Sequence, residues 1–166
     1  MQVVLGADHN GFNLKNKIKE WLDDSDLTAF DGTKINVLDA GADTLDPADD
    51  FVDFVKNAVE IADASNRENP PEASPAMLIL ICGSGGGVCI AVNRFDDYRG
   101  VIVNSEEGAR LARTDNNANA LCLSALQLEN DFDLCQNIIT RWLTTPFEKQ
   151  ERFVRRIEKL DKIKEG

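Results

Sequence analysis

Apolar positions along the chain fall into short β-rich runs that alternate with longer stretches of helical period. Residues 2–7 read as a strand, and Asn10-Gly11 as the turn opening a helix through about Leu22, with Phe12, Leu14, Ile18, Trp21 and Leu22 on its apolar face. A second strand is predicted over 35–39. A second helix follows over about 50–64, where Phe51, Phe54, Val55, Ala58, Val59 and Ala62 recur at three- and four-residue spacing. The run 77–82, Met-Leu-Ile-Leu-Ile-Cys, shows no alternation, as a central strand buried on both faces requires. A glycine-rich turn then leads into a short helix over about 88–95. A fourth strand is predicted over 100–104, and Ser105 caps a helix through about Arg113 with Glu106 and Glu107 in its first turn. The fifth strand is predicted over 119–124. Two helices, about 131–143 and 146–164, close the chain, the second with Pro146 at its start. The polar segments 41–49 and 65–75 are the predicted mobile loops.

Strands alternating with helices define an α/β fold: a doubly wound, Rossmann-like sheet of five parallel strands with helices on both faces. At 166 residues, with no internal repeat, the chain holds one domain. In such sheets ligands bind off the carboxyl ends of the strands. That rule selects Asp8-His9-Asn10, the segment after Cys82, Asn104-Ser105 and the stretch after the fifth strand.

A formal net charge of −11 argues against nucleic acid and anionic membrane as partners, since both need a basic footprint. No apolar run is long enough to span a bilayer, and no signal peptide is visible at the N-terminus. Cys82, Cys89, Cys122 and Cys135 form no CxxC pair and sit largely in apolar runs. This argues against a disulfide framework or a zinc site and suits a reducing cytosol; Cys89, Cys122 and Cys135 read as core.

The strongest local signal is Gly83-Ser84-Gly85-Gly86-Gly87, between a buried strand and a helix start. Such a loop lets backbone N–H groups converge on an anion, or serves as a tight turn that needs glycine. It is neither a Walker A loop nor GxGxxG, because Val88 stands where the third glycine belongs. Cys82 immediately precedes it, where amides and a helix start favour a thiolate, though a cysteine there is equally a small buried hydrophobe. His9, the single histidine, follows Asp8 on the predicted ligand edge, as a proton carrier or as a surface residue beside the next helix. Lys149, Arg152, Arg156 and Lys159 lie on one face of the last predicted helix, either a phosphate dock or a solvated stripe.

Together these segments resemble the ribose-5-phosphate isomerase B / galactose-6-phosphate isomerase family over nearly the whole chain. Gly6-Ala7-Asp8-His9-Asn10-Gly11-Phe12 is similar to its opening motif, and 81–87 with Ile90-Ala91-Val92-Asn93-Arg94 to its central loop and helix. Arg99-Gly100, Ala112-Arg113, 116–119, Thr144-Thr145-Pro146 and 152–157 follow in the family's order. The resemblance implies an aldose–ketose isomerase working through an enediolate, most directly on ribose 5-phosphate, with no metal or cofactor. It implies a homodimer or tetramer with active sites at the subunit interface, where the 146–164 helix would lie. Cys82 would move the proton between C1 and C2, and Ser84 would bond the reacting oxygens. The amides of Gly83, Gly85, Gly86 and Gly87 would hold the enediolate, and Asp8 would contact the sugar hydroxyls. His9, Arg152 and Arg156 would bind phosphate, the arginines reaching across from the partner, with Asn116 among the binding residues.

Three positions depart from the family pattern. Asp115 stands where a histidine thought to open the sugar ring is usual, Leu126 aligns with a phosphate-holding arginine, and Asp50-Phe51-Val52 replaces Asp-Tyr-Pro. The alternatives are therefore a subunit of a galactose-6-phosphate-type isomerase, completed by a related partner, or a non-catalytic sugar-phosphate-binding paralogue.

Overall fold

The computed structural model describes residues 1–70 and 72–163. Five strands, β1 (Gln2–Ala7), β2 (Asn36–Asp39), β3 (Met77–Cys82), β4 (Gly100–Ile102) and β5 (Ala120–Ser124), form one parallel sheet in the order β2-β1-β3-β5-β4. The helices are α1 (Phe12–Asp24), α2 (Phe51–Glu68), α3 (Gly86–Val92), α4 (Glu106–Asn116), α5 (Ala125–Leu128), α6 (Phe132–Thr144) and α7 (Glu151–Asp161). The doubly wound architecture is thus as predicted. Among the described residues no helix is long and apolar enough to cross a membrane.

Strand alternation splits the core in two. Val3, Leu5, Ile79, Ile81, Leu121 and Leu123 point to one face and meet α1, α4 and α6, where Ile18, Ala112, Ile138 and Trp142 are buried. Val4, Leu78, Leu80, Cys82, Ala120 and Cys122 point to the other and meet α2 and α3, through Val55, Ala58, Val59, Val88 and Val92. β3 is buried at every position, which explains why its sequence shows no alternation.

The element ends differ from expectation where side chains intervene. The helix after the glycine loop starts at Gly86 rather than 88 and stops at Val92 rather than 95. It stops because Asn93 turns to β4: its Nδ2 donates to the Gly100 carbonyl at 2.9 Å and its Oδ1 accepts from the Gly100 N–H at 2.9 Å. α2 runs on to Glu68, four residues beyond the predicted end, and α4 runs to Asn116, closed by Asn117 in the left-handed region (φ 44°). Pro146 does not open the last helix. Residues 146–150 are irregular, held by the Glu148 N–H on the Thr114 carbonyl (3.2 Å), and the helix begins at Glu151. Lys149 therefore falls outside it, while Arg152, Arg156 and Lys159 keep one face; the predicted end at 164 lies outside the described residues.

Candidate active site

Register brings three strand ends together. Ala7 lies opposite Ile81, so Asp8 follows beside Cys82, and Cys82 lies opposite Ser124. The order also reverses between β1 and β3, with β2 on one side and β3 on the other, which leaves a crevice at this edge.

Cys82 is 5% exposed, at the mouth of this crevice. The loop after it is fixed from below: the Gly83 carbonyl accepts from Ser124 Oγ (2.9 Å) and from the Leu126 N–H (3.1 Å). Gly85 caps α3 with φ +75°, a conformation an L side chain adopts at a cost. The exposed Ser84 accepts the Gly86 N–H on Oγ at 3.2 Å. Among the described residues the N–H groups of Ser84 and Gly85 meet no backbone or side-chain acceptor, and Gly87 lies in a first helical turn, whose amides have no intrahelical partner. Space also demands glycine at 87, because a Cβ there would meet the Phe51 ring at 2.9 Å. The loop thus keeps backbone N–H groups free of protein acceptors beside Cys82, as an anion-binding turn requires.

Asp8 (6% exposed) uses Oδ1 to accept the N–H groups of Asn10 (3.0 Å) and Gly11 (3.1 Å), closing the turn into α1. This turn abuts the loop, since a Cβ on Gly83 would lie 3.7 Å from Asn10. His9 is held by a residue that sequence reasoning missed. Asp49 Oδ1 lies 2.6 Å from His9 Nδ1 and accepts the His9 backbone N–H at 3.0 Å. That hydrogen bond raises the His9 pKa above its ordinary value, burial opposes it, and the nearby Asp8 charge adds to the rise. No sequence signal singles out Asp49 among the acids of 39–53.

The loop carrying Asp49 is tied at its other end by a buried cation. Lys15, 1% exposed on α1, bonds both oxygens of Asp39 (2.8 and 2.7 Å) and the Ala42 carbonyl (3.3 Å). Leu126 stands at the same edge, 80% exposed, an apolar rim beside Gly83.

The remaining predicted residues stand elsewhere. α4 starts after the carboxyl end of β4 and returns toward the start of β5. Its 11 residues span about 16 Å. Asp115 and Asn116 therefore lie at the opposite edge of the sheet from Cys82, Asp115 accepting from Thr114 Oγ1 at 2.7 Å. α7 packs against α4 and ends with Asp161 near Arg99 (3.8 Å), so Arg152 and Arg156 belong to that edge too. Both arginines are exposed; Arg152 covers the Phe153 ring at 4.4 Å. A cavity of about 350 Å³ opens there between Asn93, Arg99, Asn116, Leu160 and Asp161. One chain thus assembles Asp8, His9, Cys82, Gly83, Ser84, Gly85, Gly86 and Gly87 at one edge, and Asp115, Asn116, Arg152 and Arg156 at the other.

A doubly wound α/β fold with a thiol beside a glycine-rich loop at the switch point places the chain among the α/β proteins whose ligand sites lie off the carboxyl ends of the strands. Within that class the ribose/galactose isomerase family matches residues 3–160, and this chain belongs to it. A probable ribose-5-phosphate isomerase B of Mycoplasma genitalium is 34% identical over 158 residues, 95% of this chain and 92% of that protein. D-erythrulose-4-phosphate isomerase 2 of Mycolicibacterium smegmatis is 28% identical, over 90% of this chain and 88% of that one. The crystal structure of the Mycoplasma genitalium ribose-5-phosphate isomerase B with bound ribulose-5-phosphate superposes with a TM-score of 0.82 at 31% identity, covering 99% of this chain and 96% of that one.

Proposed function

We propose that this chain is an aldose–ketose isomerase of a phosphorylated sugar, converting ribose 5-phosphate to ribulose 5-phosphate through an enediolate. The observation that carries the reading is Cys82 at the end of β3, directly beside the amides of the Gly83-to-Gly87 loop, in a chain of the ribose/galactose isomerase family. Cys82 Sγ, as the base, takes the proton from C2 of the open-chain aldose. Charge then develops on O1, which the Ser84 and Gly85 N–H groups, free of protein acceptors, stabilise. Ser84 Oγ carries the hydroxyl proton from O2 to O1, and Cys82 returns its own proton to C1. Asp8 orients the hydroxyls near the reacting carbons through the oxygen not engaged in its turn.

The division of the polar residues between two sheet edges supports a second part of the reading. A homodimer that sets one edge against the other completes each site, with His9 from one chain and Arg152 and Arg156 of the partner subunit on the phosphate. Asp115 and Asn116 of the partner subunit then face the sugar ring. Exposed Leu126, Ile90, Val52 and Leu45 (80%, 65%, 53% and 54%) supply apolar surface for the contact.

Two measurements test this. Cys82→Ala should keep the wild-type unfolding midpoint and lose ribose 5-phosphate turnover by at least ~10³-fold; retained turnover removes Cys82 as the base. Mixing inactive Cys82→Ala with an inactive Arg152→Ala/Arg156→Ala double variant, after subunit exchange, should restore about a quarter of wild-type activity, because half the dimers carry one intact site. No recovery would place the arginines outside a shared site. Turnover appearing only with a related second chain would instead favour the hetero-oligomeric galactose-6-phosphate-type reading, which Asp115 and Leu126 keep open.

A further inference from the structure

Asp49 is an unusual acid. Its side chain is only 10% exposed, Oδ2 is buried and unpartnered among the described residues, and Oδ1 faces only His9. A carboxylate buried to this degree needs a compensating charge to offset its desolvation. Among the described residues no Lys or Arg lies within ion-pair distance of Asp49; the single group that can supply the charge is the His9 imidazole, at 2.6 Å. The two are also fixed in rotation, because Oδ1 takes both the ring Nδ1 and the backbone N–H of the same histidine. The ring therefore has one permitted orientation, with Nδ1 toward the protein and Nε2 toward the strand-end edge, where His9 is 29% exposed.

We propose that Asp49 is a positioning residue: it orients His9 through Nδ1 so that Nε2–H is presented to the anionic group of the ligand bound at the strand ends. This rests on the isomerase reading for the identity of that anion, a sugar phosphate, but not for the geometry. The carboxylate sits on the far side of the ring from Nε2, so the acid that holds the imidazole does not itself face the phosphate. The charged groups facing the ring are Asp49 from the β2–α2 loop and Asp8 from the end of β1, and both favour the protonated form. Asn10 Nδ2 lies 2.8 Å from Nε2. When Nε2 carries a proton the Asn10 amide must turn its oxygen toward it or yield to the ligand, which makes Asn10 the group a phosphate displaces.

The sign of the pH dependence follows. A histidine whose pKa rises on folding contributes stability that is fully present below its ordinary value, 6.5, and is lost as pH climbs through the higher folded value. Anion binding by Nε2–H fades over the same upper window. The bond between Asp49 Oδ1 and the His9 backbone N–H does not titrate, so the β2–α2 loop stays tied to His9 over that range while the charge on the ring is lost.

Because His9 is the only histidine, its ring protons give one unambiguous pair of signals in a proton NMR titration. In the full-length protein His9 should titrate above 6.5. In Asp49→Asn it should fall to the ordinary value or below, and Asp49→Glu should recover part of the rise. Ribose 5-phosphate added to wild type should shift the same signals and bind ~10-fold or more weakly to Asp49→Asn, as expected for loss of a charge-assisted hydrogen bond. An unchanged His9 titration in Asp49→Asn, with the fold verified by an unaltered unfolding midpoint, overturns the proposal. So does equal ribose 5-phosphate affinity in the two proteins. Neither readout requires turnover, so a protein that binds the sugar phosphate without isomerising it sinks the catalytic reading and leaves this one standing.

Discussion

Replacing Gly85 by alanine perturbs the fold and the site by amounts that can be separated. The residue has φ +75°, and a Cβ would stand 3.1 Å from the Leu123 carbonyl carbon and 3.2 Å from its oxygen. The left-handed conformation costs an alanine about 1–2 kcal/mol, offset by about 0.4–1 kcal/mol because alanine loses less freedom on folding. Leu123 cannot retreat, being paired with Ile81 in the middle of the sheet, so the contact adds about 1 kcal/mol. The net is a destabilisation of about 1–2.5 kcal/mol, or about 3–8 °C in Tm for a chain of this size. Gly32→Ala is the matched control: its φ is +77°, but nothing lies within 4 Å of the new Cβ, and it is remote from the strand ends. It should show the conformational cost alone, about 0–1.5 kcal/mol, with wild-type turnover. Gly85→Ala should also lose about 10²-fold in kcat, because a shift of the Gly85 backbone displaces the Ser84 and Gly85 amides proposed to hold the oxyanion. Thermal unfolding and ribose 5-phosphate turnover of both variants decide it. If Gly85→Ala melts with Gly32→Ala and turns over at the wild-type rate, the loop is a turn and not an oxyanion cradle.

Further outcomes follow from the buried ions and thiols. Lys15→Met leaves Asp39, whose side chain is 27% exposed, without its cation. Urea unfolding should show a loss of about 2–3 kcal/mol, below the value for a fully buried pair because water can reach Asp39; a change under about 0.5 kcal/mol would remove the ion pair as the loop's anchor. Of the three thiols away from the strand-end site, Cys89, Cys122 and Cys135, Cys89 should alkylate first. A hydrogen bond from Cys122 lowers it to about 7 against the cost of its half-burial, while the same bond and burial drive Cys122 up, and burial alone takes Cys135 to about 12. Mass spectrometry after brief iodoacetamide treatment at pH 8 should find Cys89 modified ahead of both; preferential labelling of Cys122 would refute the assignment.

Most of the fold was legible because each core strand is marked by its own burial. The unbroken run Met77 to Cys82 reads as central because both its faces meet helices, and the structure divides its residues between two cores. Helix ends were less legible, and for a common reason: they are set by side chains reaching to other elements. Asn93 ends α3 by bonding Gly100, seven residues on, and Glu148 delays α7 by bonding the end of α4. The short helix α5 was missed because four residues are too few to show a period.

The site divides along the same line. Asp8, Cys82 and the glycine loop were readable because each sits at a strand's carboxyl end, where topology alone assigns a place. Asp49 was not, because nothing local in 41–49 distinguishes it from its acidic neighbours; its role exists only once β1 and β2 pair and bring the two loops together. The separation of Arg152 and Arg156 from Cys82 was readable only as a resemblance, since helical spacing shows that cations share a face but not where that face points. In a chain of net charge −11, the phosphate site proposed above has to draw its cations from distant positions. Arg152 and Arg156 stand on the edge away from the glycine loop, so on the proposed reading a dimer that joins the two edges is required to bring both sets of polar groups to one sugar phosphate.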